Sequence, residues 1–75
     1  MTNQYMHGTI VRITGPVLDV RFAAGAEPAL KTLLVTEGEP VVHIEVAQHH
    51  APGVIRAIAL EPTEGLSCGT LVLNT

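Results

Sequence analysis

Glycine and proline punctuate this chain so closely that little room is left for helix. Gly15-Pro16, Gly25, Pro28, Gly38, Pro40, Pro52-Gly53, Pro62, Gly65 and Gly69 cut it into short runs. Proline lacks a backbone donor and glycine tolerates positive φ, so each marks a turn or bend. The runs between them are rich in Val, Ile, Leu and Thr, residues that suit a pleated, half-buried surface. Six strands are predicted: residues 8–14, 16–22, 30–36, 41–48, 54–60 and 70–74. Gly15, Pro16, Gly65 and Gly69 are expected at structural turns, with Gly65 at positive φ. One helical turn is the most that "EPTEGL" supports, with Pro62 in its first turn.

Alternation assigns faces to two of these strands. Leu18, Val20 and Phe22 share one side, against Asp19 and Arg21; Val42, Ile44 and Val46 oppose His43 and Glu45. Period two is the pattern of a half-buried strand. The fifth strand, "VIRAIAL", is apolar on both faces except at Arg56, which implies burial on both sides or a face awaiting a neighbour. Six short strands in 75 residues leave costly unpaired edges unless the sheet closes on itself. The fold expected is all-β: a small, closed, six-stranded antiparallel β-barrel. An open, curled sheet of the oligonucleotide/oligosaccharide-binding type is the nearest alternative.

Composition removes several function classes. The formal charge is −3, and the four basic residues Arg12, Arg21, Lys31 and Arg56 are scattered. Tyr5 and Phe22 are the only aromatics. A nucleic-acid groove needs a basic patch and stacking rings, so no nucleic-acid partner is expected. The apolar fraction is 47%, yet no run approaches the roughly 20 residues of a membrane span. The N-terminus, "MTNQYMHG", has no basic region followed by an apolar core. The chain reads as soluble and intracellular, without direct membrane insertion.

Chemistry-bearing residues are few. His43, His49 and His50 lie near one another in sequence, with Glu45 close by, but no CxxC or HxxxH spacing accompanies them. Zinc sites need three or four converging ligands, and solvated loop histidines are the simpler reading. Glu61 and Glu64 flank Pro62 without a nucleophile beside them, and a turn accounts for both. Cys68 is the single cysteine, so it forms no internal disulfide, and an apolar filler is its simpler role. A phosphate-cradling loop requires glycines ahead of a Lys-Ser/Thr pair. Lys31 is the only lysine and follows no glycine run, while "GLSCG" carries no lysine. The residues therefore offer no catalytic, cofactor or metal site. Two competing readings remain: a free-standing barrel module for an oligonucleotide or sugar, and a small metal or thiol enzyme using His49, His50 and Cys68.

"GTIVRITGPVLDVRF" is similar to the opening of the F-type ATP synthase β subunit: a strand, a Gly-Pro bend, then a strand with Val-x-Asp-Val. The later segment strengthens the resemblance. Glu45 to His49 match Glu-Val-Ala-Gln-His, Ile55 to Ala59 match the family's Val-x-x-Ile-Ala, and Thr63 to Leu66 with Gly69 match Thr-Glu-Gly-Leu-x-x-Gly. The similarity runs from Gly8 to Thr75. "HHAPG" departs from the family's usual His-Leu-Gly type of turn, Cys68 stands where Arg is common, and "EGEP" is short, as in a divergent β copy.

The resemblance implies an N-terminal tail at 1–7 and an N-terminal barrel at 8–75, with nucleotide-binding and C-terminal domains outside this chain. It implies partners: α subunits, and further β copies through an alternating ring whose barrels form a crown. Mg-ATP or Mg-ADP would be held in the full-length protein, an ion-translocating ATP synthase, and no cofactor in this chain. It implies a peripheral position on the cytoplasmic face of a bacterial inner membrane or its organelle equivalent. Outward positions Val41 and Ile55, with Arg56, are the expected α–β contacts. The isolated barrel is expected to be monomeric or weakly self-associating.

Overall fold

The computed structural model describes residues 6–74. It contains six strands: β1 (Met6–Thr14), β2 (Val17–Arg21), β3 (Leu33–Thr36), β4 (His43–Ala51), β5 (Val54–Ala59) and β6 (Leu71–Asn74). They close into one antiparallel barrel in the order β1-β2-β5-β4-β3-β6. The expected all-β closed barrel is therefore present. Closure rests on β6, which pairs with β1 through Met6↔Asn74 to Thr9↔Leu71 and with β3 through Val35↔Leu73 and Thr36↔Val72. Met6 and His7, expected in a tail, belong to β1; residues 1–5 of that tail and Thr75 lie outside the described residues.

The barrel interior takes one side of every strand. Leu18, Val20, Leu34, Ile44, Val46, Ile55 and Val72 are essentially inaccessible to solvent. Phe22 follows β2 and closes one end, where its N–H donates to the Gly53 carbonyl at 2.6 Å. Gly8 lies across from it. A Cβ on Gly8 would stand 2.6 Å from Val20 Cγ1 and 2.7 Å from the Phe22 ring, so only glycine lets these two core side chains meet β1.

Two-residue turns set the hairpins. Gly15-Pro16 joins β1 to β2 with Gly15 at φ +58°, the sign pattern of a type II′ turn, whose twist matches that of the strands. Pro52-Gly53 joins β4 to β5 with φ +77° at its second residue, the unprimed type II arrangement. That turn splays strands, and β4 absorbs the mismatch through irregularities between Val46 and Gln48 and between His49 and Ala51. A third, between Ile10 and Arg12, makes Val11 an extra residue in β1. It moves the inward phase from Gly8 and Ile10 to Ile13, which packs against the core.

Some boundaries differ from the sequence reading. β3 starts at Leu33 instead of Leu30, because Ala29 to Thr32 form a turn with Lys31 at φ +72°. β4 starts at His43 and continues to Ala51. "EPTEGL" forms no helical turn. Leu66 N–H donates to the Thr63 carbonyl at 3.0 Å and Gly65 takes φ +91°, a type II β-turn that uses glycine where a helix would need negative φ.

Two substitutions test this account by urea denaturation. Gly8→Ala is expected to lower stability by about 1–3 kcal/mol through overpacking against Val20 and Phe22. Lys31→Gly is expected to raise it by about 0.5–1 kcal/mol, since a left-handed lysine is strained. Both should move the midpoint and leave the slope unchanged.

Candidate functional site: the outer face of β4 and β5

The barrel separates the residues that might have formed a catalytic or metal centre. The backbone N–H of His43 donates to Glu61 Oε1 at 2.6 Å, and its Nδ1 lies 3.2 Å from Glu61 Oε2. His49 pairs with Ile55 and places Nε2 2.7 Å from the Pro28 carbonyl oxygen. His50 falls in the second β4 irregularity, and its Nε2 lies 3.4 Å from Arg56 Nη2. The His49-His50 pair therefore serves two different surroundings. Cys68 is exposed. Among the described residues, no three His, Cys, Asp or Glu side chains come together in a way that could hold a metal ion.

The carboxylates act as ties between segments. Glu61 fastens the stretch after β5 to the start of β4, and the His43 backbone N–H holds its pKa below the usual value. Glu27 accepts the Gly53 N–H at 2.7 Å, pinning the β2–β3 loop to the β4–β5 turn; its own backbone N–H, then that of Gly53, lower its pKa. Asp19 and Arg56 are directly paired across β2 and β5. Arg56 Nε donates to Asp19 Oδ1 at 2.9 Å, and Nη2 lies 3.4 Å from Oδ2. Asp19 is only 7% exposed although it faces outward. The hydrogen bond from Arg56 lowers its pKa, against the opposing effect of burial.

One stretch of the outer face is largely apolar. Register places Leu33 opposite Glu45, Glu45 opposite Ile58, and Ile58 opposite Val17, one outward row across β3, β4, β5 and β2. Leu30 and Leu60 extend it. Leu30, Leu33 and Leu60 are each more than half exposed, and Ile58 is 39% exposed. Leu30, Lys31, Glu45, Ala47, Ile58 and Leu60 help line a groove of about 410 Å³. The stretch is apolar apart from Glu45 and Lys31, and exposed apolar surface grouped in this way makes it the candidate contact surface.

The three expected contact residues are not brought together. Val41 is half exposed but precedes β4, at the barrel end that carries the Gly15-Pro16 turn. Arg56 faces outward and is engaged with Asp19. Ile55 is a correction: it is wholly buried in the core and offers no outward surface. Its parity explains this. Neighbouring strand residues point to opposite sides, so an outward Arg56 forces Ile55 inward and turns Ile58 outward with Leu60 following. That signal was present in "VIRAIAL". The contributions of Leu30 and Leu33 to the same surface depended on the β3–β4 register.

Residues 10–75 match the family model described as the ATP synthase alpha/beta family, beta-barrel domain. The match covers all but the first few residues of the closed barrel.

The Asp19–Arg56 pair supplies a measurable expectation. Arg56→Met leaves the Asp19 carboxylate without its partner and is expected to destabilise the barrel at pH 7, by less than loss of a fully buried pair would, because Arg56 retains access to water. Asp19 has a folded pKa below its unfolded value of ~3.9, so the pair's contribution is complete above that value and is lost as pH falls through the folded pKa. Urea titrations at pH 7 and pH 2.5 should show the gap between parent and variant narrowing in acid. A gap of equal size at both pH values would show that the pair carries no such linkage.

Proposed function

This chain belongs to the ATP synthase alpha/beta family, as its β-barrel domain, and from that premise we propose that it is the N-terminal crown domain of the catalytic β subunit. Its work is mechanical. Barrels of three β and three α subunits stand side by side and hold the ring together while the nucleotide-binding domains open and close. Nucleotide, as Mg-ATP or Mg-ADP, is held outside this sequence. The whole enzyme makes or hydrolyses ATP coupled to proton or sodium transport, with the ring peripheral to the cytoplasmic face of its membrane. No helix of the described residues is long and apolar enough to cross a membrane.

The observation that carries this reading is the outward row Leu33, Ile58 and Leu60. A barrel whose interior is filled by its own side chains has no internal use for these residues. Covering them with a neighbour removes apolar surface from water at ~25 cal/mol per Å². The choice of β over α is supported by the sequence between Glu45 and Gly69, where the order Glu-Val-Ala-Gln-His, Val-x-x-Ile-Ala and Thr-Glu-Gly-Leu-x-x-Gly resembles the β subunit.

Ring reconstitution tests the proposal. The subunit that carries this barrel is combined with its α partner, and the assembled ring is quantified by native mass spectrometry. Ile58→Asp with Leu60→Asp is expected to lower ring yield about tenfold or more, in line with loss of a contact hot spot. Circular dichroism should show the barrel itself intact, since both residues face solvent. Normal ring yield from the double variant would overturn the proposal.

A further inference from the structure

The four basic residues are scattered along the sequence, yet the fold brings two of them into one hollow. Arg12, Thr14, Val17, Asp19 and Arg56 line a space of about 260 Å³ on the outer side of β1, β2 and β5. Register explains the grouping. Arg12 pairs with Asp19 and Asp19 with Arg56, one outward row across three strands. The β1 bulge makes this possible. Ile10 pairs with Val20, so regular pairing would set Val11 opposite Asp19 and Arg12 opposite Leu18, a core position. The extra residue instead brings Arg12 to the outer side beside Asp19, the kind of re-aiming that bulges provide.

The charges in this hollow do not cancel. Asp19 is matched by Arg56, whose Nε donates to Oδ1 at 2.9 Å and whose Nη2 lies 3.4 Å from Oδ2. Arg12 makes no ion pair within 4.0 Å among the described residues, so a guanidinium charge is in excess. Depth sharpens the imbalance. The Asp19 side chain is 10% exposed and that of Arg56 32%, while Arg12 is exposed. An anion arriving from water therefore meets guanidinium before carboxylate. Arg56 is also held in place. Asp19 engages its Nε and Nη2, His50 Nε2 lies 3.4 Å from the same Nη2, and Nη1 has no hydrogen-bond partner among the described residues. The exposed Thr14 hydroxyl adds a neutral donor at the rim.

We propose that this hollow binds a phosphate group, held by the Arg12 guanidinium, Arg56 Nη1 and the Thr14 hydroxyl. A guanidinium presents its N–H groups in a planar fork that suits phosphate. Phosphate oxygens spread in tetrahedral directions and can take donors from two strands at once, whereas a planar carboxylate engages one fork. A phosphoryl group also carries more charge at neutral pH, roughly −1.5 to −2. The hollow lies below the ~300–1,000 Å³ of sites for drug-sized ligands, which suits a small anion. Because the site is open to water, binding is weak and sensitive to salt. The inference does not depend on the ring reading, since every residue concerned belongs to one barrel.

The test is a titration of the isotope-labelled chain with inorganic phosphate, followed by proton–nitrogen NMR at constant ionic strength with chloride as the balancing anion. Saturable shifts confined to the Nε–H signals of Arg12 and Arg56 and to the backbone amides around them are expected. Arg12→Gln should weaken binding about tenfold or more, the loss of a charge-assisted contact. Arg12→Lys should weaken it by less, since it keeps the charge and loses the fork. Arg21→Gln, at an exposed arginine outside the hollow, should leave binding unchanged. Arg12 is exposed, so its variants should keep the parent spectrum elsewhere. Methyl phosphate separates two sources of the ligand. Affinity equal to that of inorganic phosphate assigns the site to a phosphoryl group on a larger molecule, and binding of inorganic phosphate alone assigns it to the free ion. No saturable shift, equal affinity in Arg12→Gln, or acetate bound as tightly as phosphate would overturn the proposal. So would matching shifts at Arg21 and Lys31, which would mark diffuse charge screening.

Discussion

The short ladder that β6 makes with β1 and β3 is the constraint on which this molecule depends. Four residues, Leu71–Asn74, use both edges of their backbone, one toward Met6–Thr9 and the other toward Val35–Thr36. Without them the sheet would end in two open edges, each a row of unpaired donors and acceptors. With them there is an inside and an outside, and every strand residue must take one or the other. The inside of a six-stranded barrel is small. Residues such as Leu18, Ile44 and Ile55 fill it, and the apolar residues that do not fit are left outside.

That surplus links fold to function. A chain with 47% apolar residues and so small an interior cannot hide them all. Where the surplus falls is decided by strand phase. In β5 the inward Ile55 and Ala57 alternate with the outward Arg56 and Ile58. In β1 the bulge at Val11 moves an apolar side chain outward and returns Ile13 to the core. Irregular pairing thus turns apolar side chains to the outer surface while polar ties such as Asp19–Arg56, His43–Glu61 and Glu27–Gly53 hold the strands and loops in place. The tied residues face out but are spent on the barrel's own integrity.

Much of the architecture was legible in the chain. The six strand positions follow from Gly and Pro spacing, and the inner faces of the second and fourth strands follow from alternation through Leu18, Val20 and Phe22 and through Val42, Ile44 and Val46. The family resemblance was legible through the motifs from Glu45 to Gly69, because those residues build β4, β5 and the turns after them. The contact surface was less so. Val41 looked like an outward residue and is one, whereas Ile55 looked like one and is core. The helical turn at "EPTEGL" misread a proline that opens a loop and a glycine that closes a type II turn.

The sequence by itself determined the number of strands and the inner faces of the second and fourth, because these depend on local turn chemistry and on side-chain period. Tertiary structure alone decided which outward residues share a surface. Leu33, Glu45 and Ile58 are far apart along the chain and meet only because pairing aligns them across three strands. An inside and an outside likewise exist only once β6 closes the ring of strands, since an open sheet encloses nothing.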